Sequence, residues 1–365
     1  MLDNNTSAFL ALVRAGLWEQ EVQLSAFGNI SIKEIYRLAQ EQSVVGLVAA
    51  GLEQAKDIQF PKEDVLTIVG EALQLEQRNI AMNYFIGVIV EKMRKVGIYT
   101  LLVKGQGVAQ CYAKPQWRAS GDVDFLLSPD NYDKAKEYLT PLASIIDNED
   151  LRRKHLGLTI APWVVELHGA LPFDLSSRVD KLINEAQNDV LYFGSVRTWI
   201  DGDTQVFLPS PDNDVIFVFT HFLHHFFIEG VGLRQICDWC RLLWTYKDSI
   251  DVELLEKRVC EARLMSEWRA FAALAVKKLG MPIEAMPFYD SCRCYERKAN
   301  RLLRHILKSG NMGHNNDVSY RAKQKPIVSN VITFKRRFAD FLKLSFIFPI
   351  DAPLFFLNYI AGKIR

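Results

Sequence analysis

The segment of residues 101–127, LLVKGQGVAQCYAKPQWRASGDVDFLL, limits the possible folds more than any other part of the chain. It predicts a strand over residues 98–103, a glycine turn, a short helix over 108–112, a polar loop over 115–120 and a second strand opening at Gly121. Side chains alternate between the two faces of a strand, so Asp122 and Asp124 point to one side and Val123 points to the other. The segment therefore predicts a pair of carboxylates on one face of a sheet.

These two carboxylates need a partner. They lie about 7 Å apart along the strand, they repel each other, and neither is expected to be buried unpaired. Hard oxygen ligands suit Mg²⁺, which keeps several waters and commonly takes phosphate oxygens from a substrate. Asp122 and Asp124 are therefore candidate ligands for Mg²⁺ or Mn²⁺.

A later hairpin supplies a third acid. Residues 156–160 and 163–167 are two apolar runs on either side of Ala161 and Pro162, and Glu166 lies in the middle of the second run. If that run pairs with the Asp-x-Asp strand, Glu166 becomes either a third metal ligand or a general base. His168, on the same face, either hydrogen-bonds within the hairpin or contacts substrate and orients Glu166.

The glycine turn and the polar loop offer groups for phosphate. Gly105 would let a phosphate approach backbone N–H groups, and Lys104 and Arg118 are candidate phosphate cations. Arg118 has an alternative role, which is to pair with Asp122 or Asp124. Phosphoryl and nucleotidyl transfer need held phosphates, neutralised charge and an aligned acceptor oxygen, and metals held by shared carboxylates provide these conditions.

The flanking regions are predicted to be helical. Ser31 fits an N-cap with Glu34 completing a capping box, and one long helix is expected from residue 62 or 64 to Val96, ended by Gly97. A short strand is expected over residues 205–208, with helices from residue 211 onward.

Three other patterns favour structural roles over metal binding or catalysis. His221 and His225 could bind zinc, but no HExxH arrangement accompanies them. The Cys237/Cys240 pair has no second CxxC, so buried packing thiols are preferred to zinc or redox chemistry. Arg234 and Asp238, four residues apart, predict an ion pair within one helix.

Composition excludes several classes. The formal net charge of +1 gives no field that favours extended nucleic acid, and no apolar run approaches the roughly 18 residues of a membrane span. The first residues lack the basic region of a secretory signal, and six scattered cysteines fit reduced thiols, so a cytoplasmic protein is expected.

Taken together, the quoted segment, WVVELHGAL and, more loosely, GLRQICDWCRLLW resemble the bacterial putative nucleotidyltransferases of the polymerase-β-type nucleotidyltransferase superfamily. The resemblance implies that Asp122 and Asp124 bind metal and that Glu166 binds the catalytic metal or activates the acceptor hydroxyl. It also places Lys104 and Gly105 in the turn that holds the triphosphate. Gln106 stands where the superfamily usually has serine or glycine, so the phosphate cradle, and with it the donor, is expected to differ.

We therefore expect an α+β protein. A small mixed sheet would form a nucleotidyltransferase core at residues 98–209, between a helical region at 1–97 and a larger helical region at 210–365. The expected activity is that of a Mg²⁺-dependent nucleotidyltransferase (EC 2.7.7-like) moving a nucleotidyl group from a nucleoside triphosphate such as ATP to a hydroxyl or phosphate acceptor, in surface polysaccharide metabolism by the same resemblance. Lys104, Gly105, Gln106 and Arg118 are the candidate phosphate contacts, and the candidate substrate contacts are His168, Arg234 and Asp238.

Two alternatives stay open. One is a non-catalytic relative that binds a nucleotide or a protein partner through the same cleft. The other is a membrane-peripheral accessory protein of polysaccharide assembly, anchored through residues 335–365, which combine basic residues with many phenylalanines and leucines. Two prolines and Asp340 and Asp351 weaken this membrane hypothesis.

Overall fold

The computed structural model describes residues 2–171, 175–315 and 326–364. Helices come first: α1 (Asn4–Trp18), α2 (Ile32–Glu41), α3 (Val45–Glu53) and α4 (Lys62–Lys95). The central part contains β1 (Leu101–Val103), α5 (Gly105–Ala109), β2 (Asp122–Leu126), α6 (Pro129–Leu139), β3 (Ile145–Ile146), β4 (His155–Ile160), β5 (Trp163–His168), α7 (Ser177–Tyr192), β6 (Val196–Asp201) and β7 (Thr204–Pro209). Then follow α8 (Pro211–Ile228), α9 (Leu233–Thr245), α10 (Val252–Glu261), α11 (Met265–Leu279), α12 (Arg293–Ser309), α13 (Pro326–Ser345) and α14 (Asp351–Ile364).

One mixed sheet organises the described chain. Its strand order is β3-β4-β5-β2-β1-β7-β6. Strand β2 runs antiparallel to β1 and parallel to β5, and β1 runs parallel to β7. The predicted α+β class, with a sheet core between two helical regions, is confirmed.

The long helix α4 covers the apolar face of the sheet. Its buried side chains, together with Tyr132, Ala135 and Leu139 of α6, pack on the face formed by alternate strand residues. The α4 residues are Met82, Ile86, Ile89, Val90 and Met93, and the strand residues include Leu102, Val123, Phe125, Val165 and Leu167. The acidic residues of β2 and β5 alternate with these apolar ones, so they lie on the opposite face of the sheet.

The ends of α4 match the sequence prediction closely. The helix spans 34 residues, and Gly97 follows it with a φ of +76°. The apolar residues spaced three to four apart from Leu75 to Val96 predict one buried stripe, which is only partly confirmed because Val96 is exposed. Ser31 caps α2 by accepting from the Glu34 N–H, but the second half of the capping box is absent: the Ser31 N–H donates to Asn5.

Several predicted boundaries were wrong. The helix placed at residues 108–112 begins at Gly105 instead, directly after the turn, and the strand placed at 98–103 begins at Leu101. The strand β6, which pairs along β7 at the sheet edge, was not predicted. Its side chains are alternately exposed and half-buried, so it has little of the apolar signal that marks a strand.

Candidate active site

The site begins at the turn after β1. Lys104 adopts a φ of +60° and Gly105 a φ of +37°, so the chain turns sharply into α5. A positive φ is uncommon for a residue with a side chain and costs on the order of 1–3 kcal/mol, so surrounding contacts must hold it. The Lys104 ammonium supplies one of them, since its Nζ lies 2.8 Å from Asp124 Oδ1.

Three carboxylates converge beside this turn. In the parallel register of β2 and β5, Asp124 lies opposite Glu166 and Asp122 lies opposite Val164. One oxygen from each of Asp122, Asp124 and Glu166 lies within 4.8 Å of the others. The structure therefore brings together the three acids predicted from the sequence, an all-oxygen donor set that fits a hard divalent cation.

Two imidazoles adjoin the carboxylates. His168 Nε2 lies 2.8 Å from Asp124 Oδ1 and 3.4 Å from Glu166 Oε2. His155 Nε2 lies 3.4 Å from the same Glu166 oxygen, and the two rings stack with centroids 4.8 Å apart. His168 thus contacts two of the three acids, whereas its sequence position predicted a substrate contact, a hydrogen bond within the hairpin or a contact with Glu166 alone.

The charges of the site perturb one another. The nearby Asp124 carboxylate, followed by burial, raises the pKa of Asp122. Burial opposes ionisation of Asp124, but Lys104 and His168 outweigh it and lower the pKa of Asp124. Burial likewise disfavours the charged forms of Lys104 and His168, yet the surrounding carboxylates raise the pKa of each. The cluster therefore holds excess negative charge, which Lys104 and His168 partly neutralise.

Arg118 and Asp238 form a separate buried ion pair. The Arg118 Nε–H and Nη2–H groups donate to the two carboxylate oxygens of Asp238, both at 2.7 Å, and the Tyr112 hydroxyl donates to the same carboxylate at 2.7 Å. Two predictions are corrected here: Arg118 does not pair with Asp122 or Asp124, and the partner of Asp238 is not Arg234. Side chains of α9 contact the loop at 115–120, so Asp238 pairs with Arg118 of that loop and not with Arg234, which lies one turn earlier in the same helix.

Among the described residues, Arg234 makes no such bidentate pair. Its Nη1–H donates to the Ala119 carbonyl at 2.6 Å, and its positive charge acts to lower the pKa of Asp122. Burial, followed by the charge of Arg118, lowers the pKa of Arg234 itself. Of the two arginines, Arg234 is therefore the one whose charge is not matched by a bidentate carboxylate, and it is the better candidate for an anionic substrate.

The Gln106 side chain is directed into the protein. It is 2% exposed, and its Nε2–H donates to Asn79 Oδ1 at 2.9 Å. The Asn79 amide in turn donates to the carbonyls of Gln116 and Arg118, both at 2.7 Å. Gln106 therefore links α5, α4 and the loop before β2, and only its backbone is left for the predicted phosphate contact.

Other groups singled out in the sequence show no metal-site geometry. Cys237 and Cys240 are buried free thiols. His221 and His225 stack edge to face with centroids 4.5 Å apart. Over residues 2–171, 175–315 and 326–364, the side chains grouped closely enough to hold a metal are confined to the acidic triad and the set of His155, Glu166 and His168.

Sequence reasoning missed His155. The strand β4 was predicted to begin one residue later, at Leu156, although β4 begins at His155, directly opposite His168. The predicted hairpin pairs Leu156 with Leu167, and one further pair at its open end places His155 opposite His168. Directly opposed residues on two paired strands share a face, so this extension would have identified His155.

Within the described part of the chain, each helix is too short or too polar to cross a bilayer. A family model described as "Uncharacterised nucleotidyltransferase" matches residues 28–280, which is more than half of the chain. No curated protein and no solved structure matches the chain.

Proposed function

The chain belongs to this family of uncharacterised nucleotidyltransferases, and we propose that it moves a nucleotidyl group from a nucleoside triphosphate to a hydroxyl or phosphate acceptor with Mg²⁺ or Mn²⁺. The observation that carries the proposal is the convergence of Asp122, Asp124 and Glu166 within 4.8 Å. In such a transfer the acceptor oxygen attacks the α-phosphorus, the bond to the β-phosphate breaks, and pyrophosphate leaves.

The proposed roles of the site residues follow from their charges. Asp122, Asp124 and Glu166 would hold the divalent cation, which when bound neutralises phosphate charge and polarises the reacting phosphoryl group. Lys104 and Arg234 supply positive charge beside the carboxylates, where a triphosphate must lie. The backbone at Gly105, whose φ is positive, allows close approach of a phosphate. Arg118 and Asp238 support the loop before β2 and are left out of the substrate contacts.

Glu166 has two candidate roles, metal ligand and base for the acceptor hydroxyl. We favour the ligand role because its oxygen lies within 4.8 Å of an oxygen of each aspartate. The His168 imidazole then orients Asp124 through the 2.8 Å hydrogen bond of its Nε2, which lies 3.4 Å from Glu166 Oε2.

The proposal also covers the extent of the catalytic core, the donor and the metabolic setting. Residues 98–209 would be the catalytic core, although the family match extends beyond it on both sides. ATP is the first donor to test, and surface polysaccharide metabolism in the cytoplasm is the setting we propose. Extended nucleic acid is not a proposed substrate, since the formal net charge is +1.

The first experiment measures the thermal stability of the protein with each nucleoside triphosphate, with and without Mg²⁺. We expect a Mg²⁺-dependent rise in Tm for one triphosphate, because a ligand at about 100 times its Kd stabilises the folded state by roughly 2.7 kcal/mol. Asp122→Asn and Asp124→Asn should each weaken this binding by at least about 10–100-fold, since each removes a charged ligand. Asp203→Asn, at an exposed aspartate between β6 and β7, is the matched control.

Pyrophosphate release with candidate acceptors separates the proposal from its first rival. Binding that needs Mg²⁺ and Asp124, without release for any acceptor tested, would favour a non-catalytic nucleotide-binding relative. Absence of binding for every triphosphate would remove the transferase proposal for this cleft.

A further inference from the structure

The β4–β5 hairpin carries a second group of metal-ligating atoms beside the acidic triad. His155 and His168 are directly opposed across the hairpin, and Glu166, two residues before His168 in β5, points to the same face. The two imidazole Nε2 atoms each lie 3.4 Å from the same oxygen, Oε2 of Glu166. The ligand atoms of all three residues lie within 4.8 Å of one another.

We propose that His155, His168 and Glu166 form a distinct site for a borderline transition-metal ion such as Zn²⁺ or Co²⁺. Two imidazoles and one carboxylate make a mixed nitrogen and oxygen set, which such ions prefer and Mg²⁺ does not. This set leaves coordination positions for water or substrate. It is therefore chemically different from the all-oxygen set of Asp122, Asp124 and Glu166.

The distances from the two imidazole nitrogens to the shared carboxylate oxygen fit a tetrahedral ion. Metal–ligand bonds of about 2.0–2.1 Å at tetrahedral angles place any two ligand atoms roughly 3.3–3.4 Å apart. Both nitrogen-to-carboxylate distances match this value at 3.4 Å. A well-formed hydrogen bond between these groups would be shorter, at about 2.7–2.9 Å, like the one from His168 to Asp124.

The surroundings of the hairpin leave space on this face. Gly157, which pairs with Glu166, has no side chain, and the Asp147 carboxylate lies over it. A Cβ atom at residue 157 would stand 2.3 Å from Asp147 Oδ2, so a side chain there would displace this exposed carboxylate. Asp147 thus places a further negative charge over the residue that pairs with Glu166.

The second site would be coupled to the first. Glu166 belongs to both donor sets, and a metal ion on His168 Nε2 replaces the hydrogen bond from that nitrogen to Asp124. Asp124 then keeps Lys104 as its cation. The inference rests on the proposed function only in this sharing of Glu166.

The test is Co²⁺ titration of the full chain without nucleotide, followed by d–d absorption, together with Zn²⁺ competition against a chromophoric chelator. We expect one Co²⁺ with a visible spectrum typical of mixed nitrogen and oxygen ligands. His155→Ala should weaken Co²⁺ and Zn²⁺ binding by at least about 10–100-fold, since it removes one of three protein ligands. His314→Ala, at an exposed histidine after α12, should bind as the wild type does.

Asp122→Asn distinguishes the two sites, because Asp122 belongs to the triad alone. Retained Co²⁺ binding in Asp122→Asn and its loss in His155→Ala would support the nitrogen site. The opposite pattern would overturn it by placing the metal in the triad, and the proposed function would stand. No Co²⁺ or Zn²⁺ binding by the wild type would also overturn it. Co²⁺ bound through His155 in a protein that binds no Mg²⁺–triphosphate would instead contradict the proposed function alone.

Discussion

At the scale of single residues, one buried ion pair fixes the loop that leads into the Asp-x-Asp strand. Arg118 bonds Asp238 through two N–H groups, and its remaining amino group donates to Ser120 Oγ at 2.8 Å. Both side chains are 6% exposed. Removing one partner would therefore leave a charge or a set of donors buried without compensation.

We expect Asp238→Asn to lower the free energy of unfolding by about 3–5 kcal/mol, as breaking a buried pair does. Urea denaturation followed by circular dichroism measures this loss. Lys56→Met, which removes a surface pair with Glu21, is the control and should leave the denaturation midpoint unchanged within error. A loss below about 1 kcal/mol for Asp238→Asn would show that water reaches the guanidinium and compensates it.

The acidic cluster could be assembled from the sequence, but the long-range ion pair that supports the neighbouring loop could not. The period of two along a strand places Asp122 and Asp124 together, and a parallel neighbour brings Glu166 to them. Arg118 and Asp238 are 120 positions apart and meet only because α9 packs on the loop. Local periodicity contains no information on such a contact.

At the scale of elements, the packing of α1 on α3 depends on close backbone approach. A Cβ atom at Gly51 of α3 would lie 2.2 Å from the Leu12 carbonyl oxygen, and one at Gly16 of α1 would lie 2.0 Å from the Leu47 oxygen. Neither neighbour is a flexible side-chain end that could rotate away. These two glycines therefore let the helix axes approach more closely than alanine would allow.

We expect Gly51→Ala to destabilise the protein by about 1–3 kcal/mol or more, since the backbone of α1 must shift. Gly70→Ala is the matched control, because residue 70 lies inside α4 and a Cβ atom there would have no other atom within 4 Å. It should stabilise the protein by about 0.5–1 kcal/mol through helix propensity. Thermal unfolding should show a lower Tm for Gly51→Ala and a higher Tm for Gly70→Ala. A higher Tm for Gly51→Ala would contradict the close approach of α1 and α3.

Elements with strong local signals were predictable, and elements defined by their neighbours were not. The helix α4 has an apolar period, acidic residues in its first turn and Gly97 after its end. The strand β6 has none of these signals and exists because β7 offers it a paired edge. The short helix α5 starts at Gly105, in the turn itself. Its predicted start at Val108 left residues 105–107 in a loop.

At the scale of the whole molecule, the two faces of the sheet have different roles. One face packs on α4 and α6 and stabilises the fold, while the other carries the polar cluster. Leu101, Val103 and Leu126 belong to the core formed with the C-terminal helices, so the sheet is buried on both faces at its centre. The α+β class follows from this packing of helices on both faces of the sheet, and the order of helical and strand-like segments in the sequence already indicated it.

The C-terminal helices α13 and α14 and the segment between them leave apolar residues exposed. Leu344, Phe348 and Phe355 are buried in the main core. Phe338, Leu342, Phe346 and Ile350 are exposed. Lys335 and Lys343 lie nearby in the sequence, and Lys343 pairs with Asp340 at 2.6 Å. We keep peripheral contact with an anionic membrane as a proposal for this surface, since apolar and basic groups together fit such a bilayer.

This proposal predicts that the full chain floats with anionic vesicles in a density gradient. Phe346→Ser with Ile350→Ser, each residue 78% exposed, should reduce the bound fraction by about 10-fold or more, because burying each apolar side chain contributes roughly 1.5–3 kcal/mol. Leu151→Ser with Phe193→Ser is the control, at residues 77% and 78% exposed elsewhere. Raising the salt concentration should weaken the wild-type interaction, since the basic residues act through a screened potential. A wild type that stays with the free protein, or an equal loss in the control, would leave these helices as part of the helical body only.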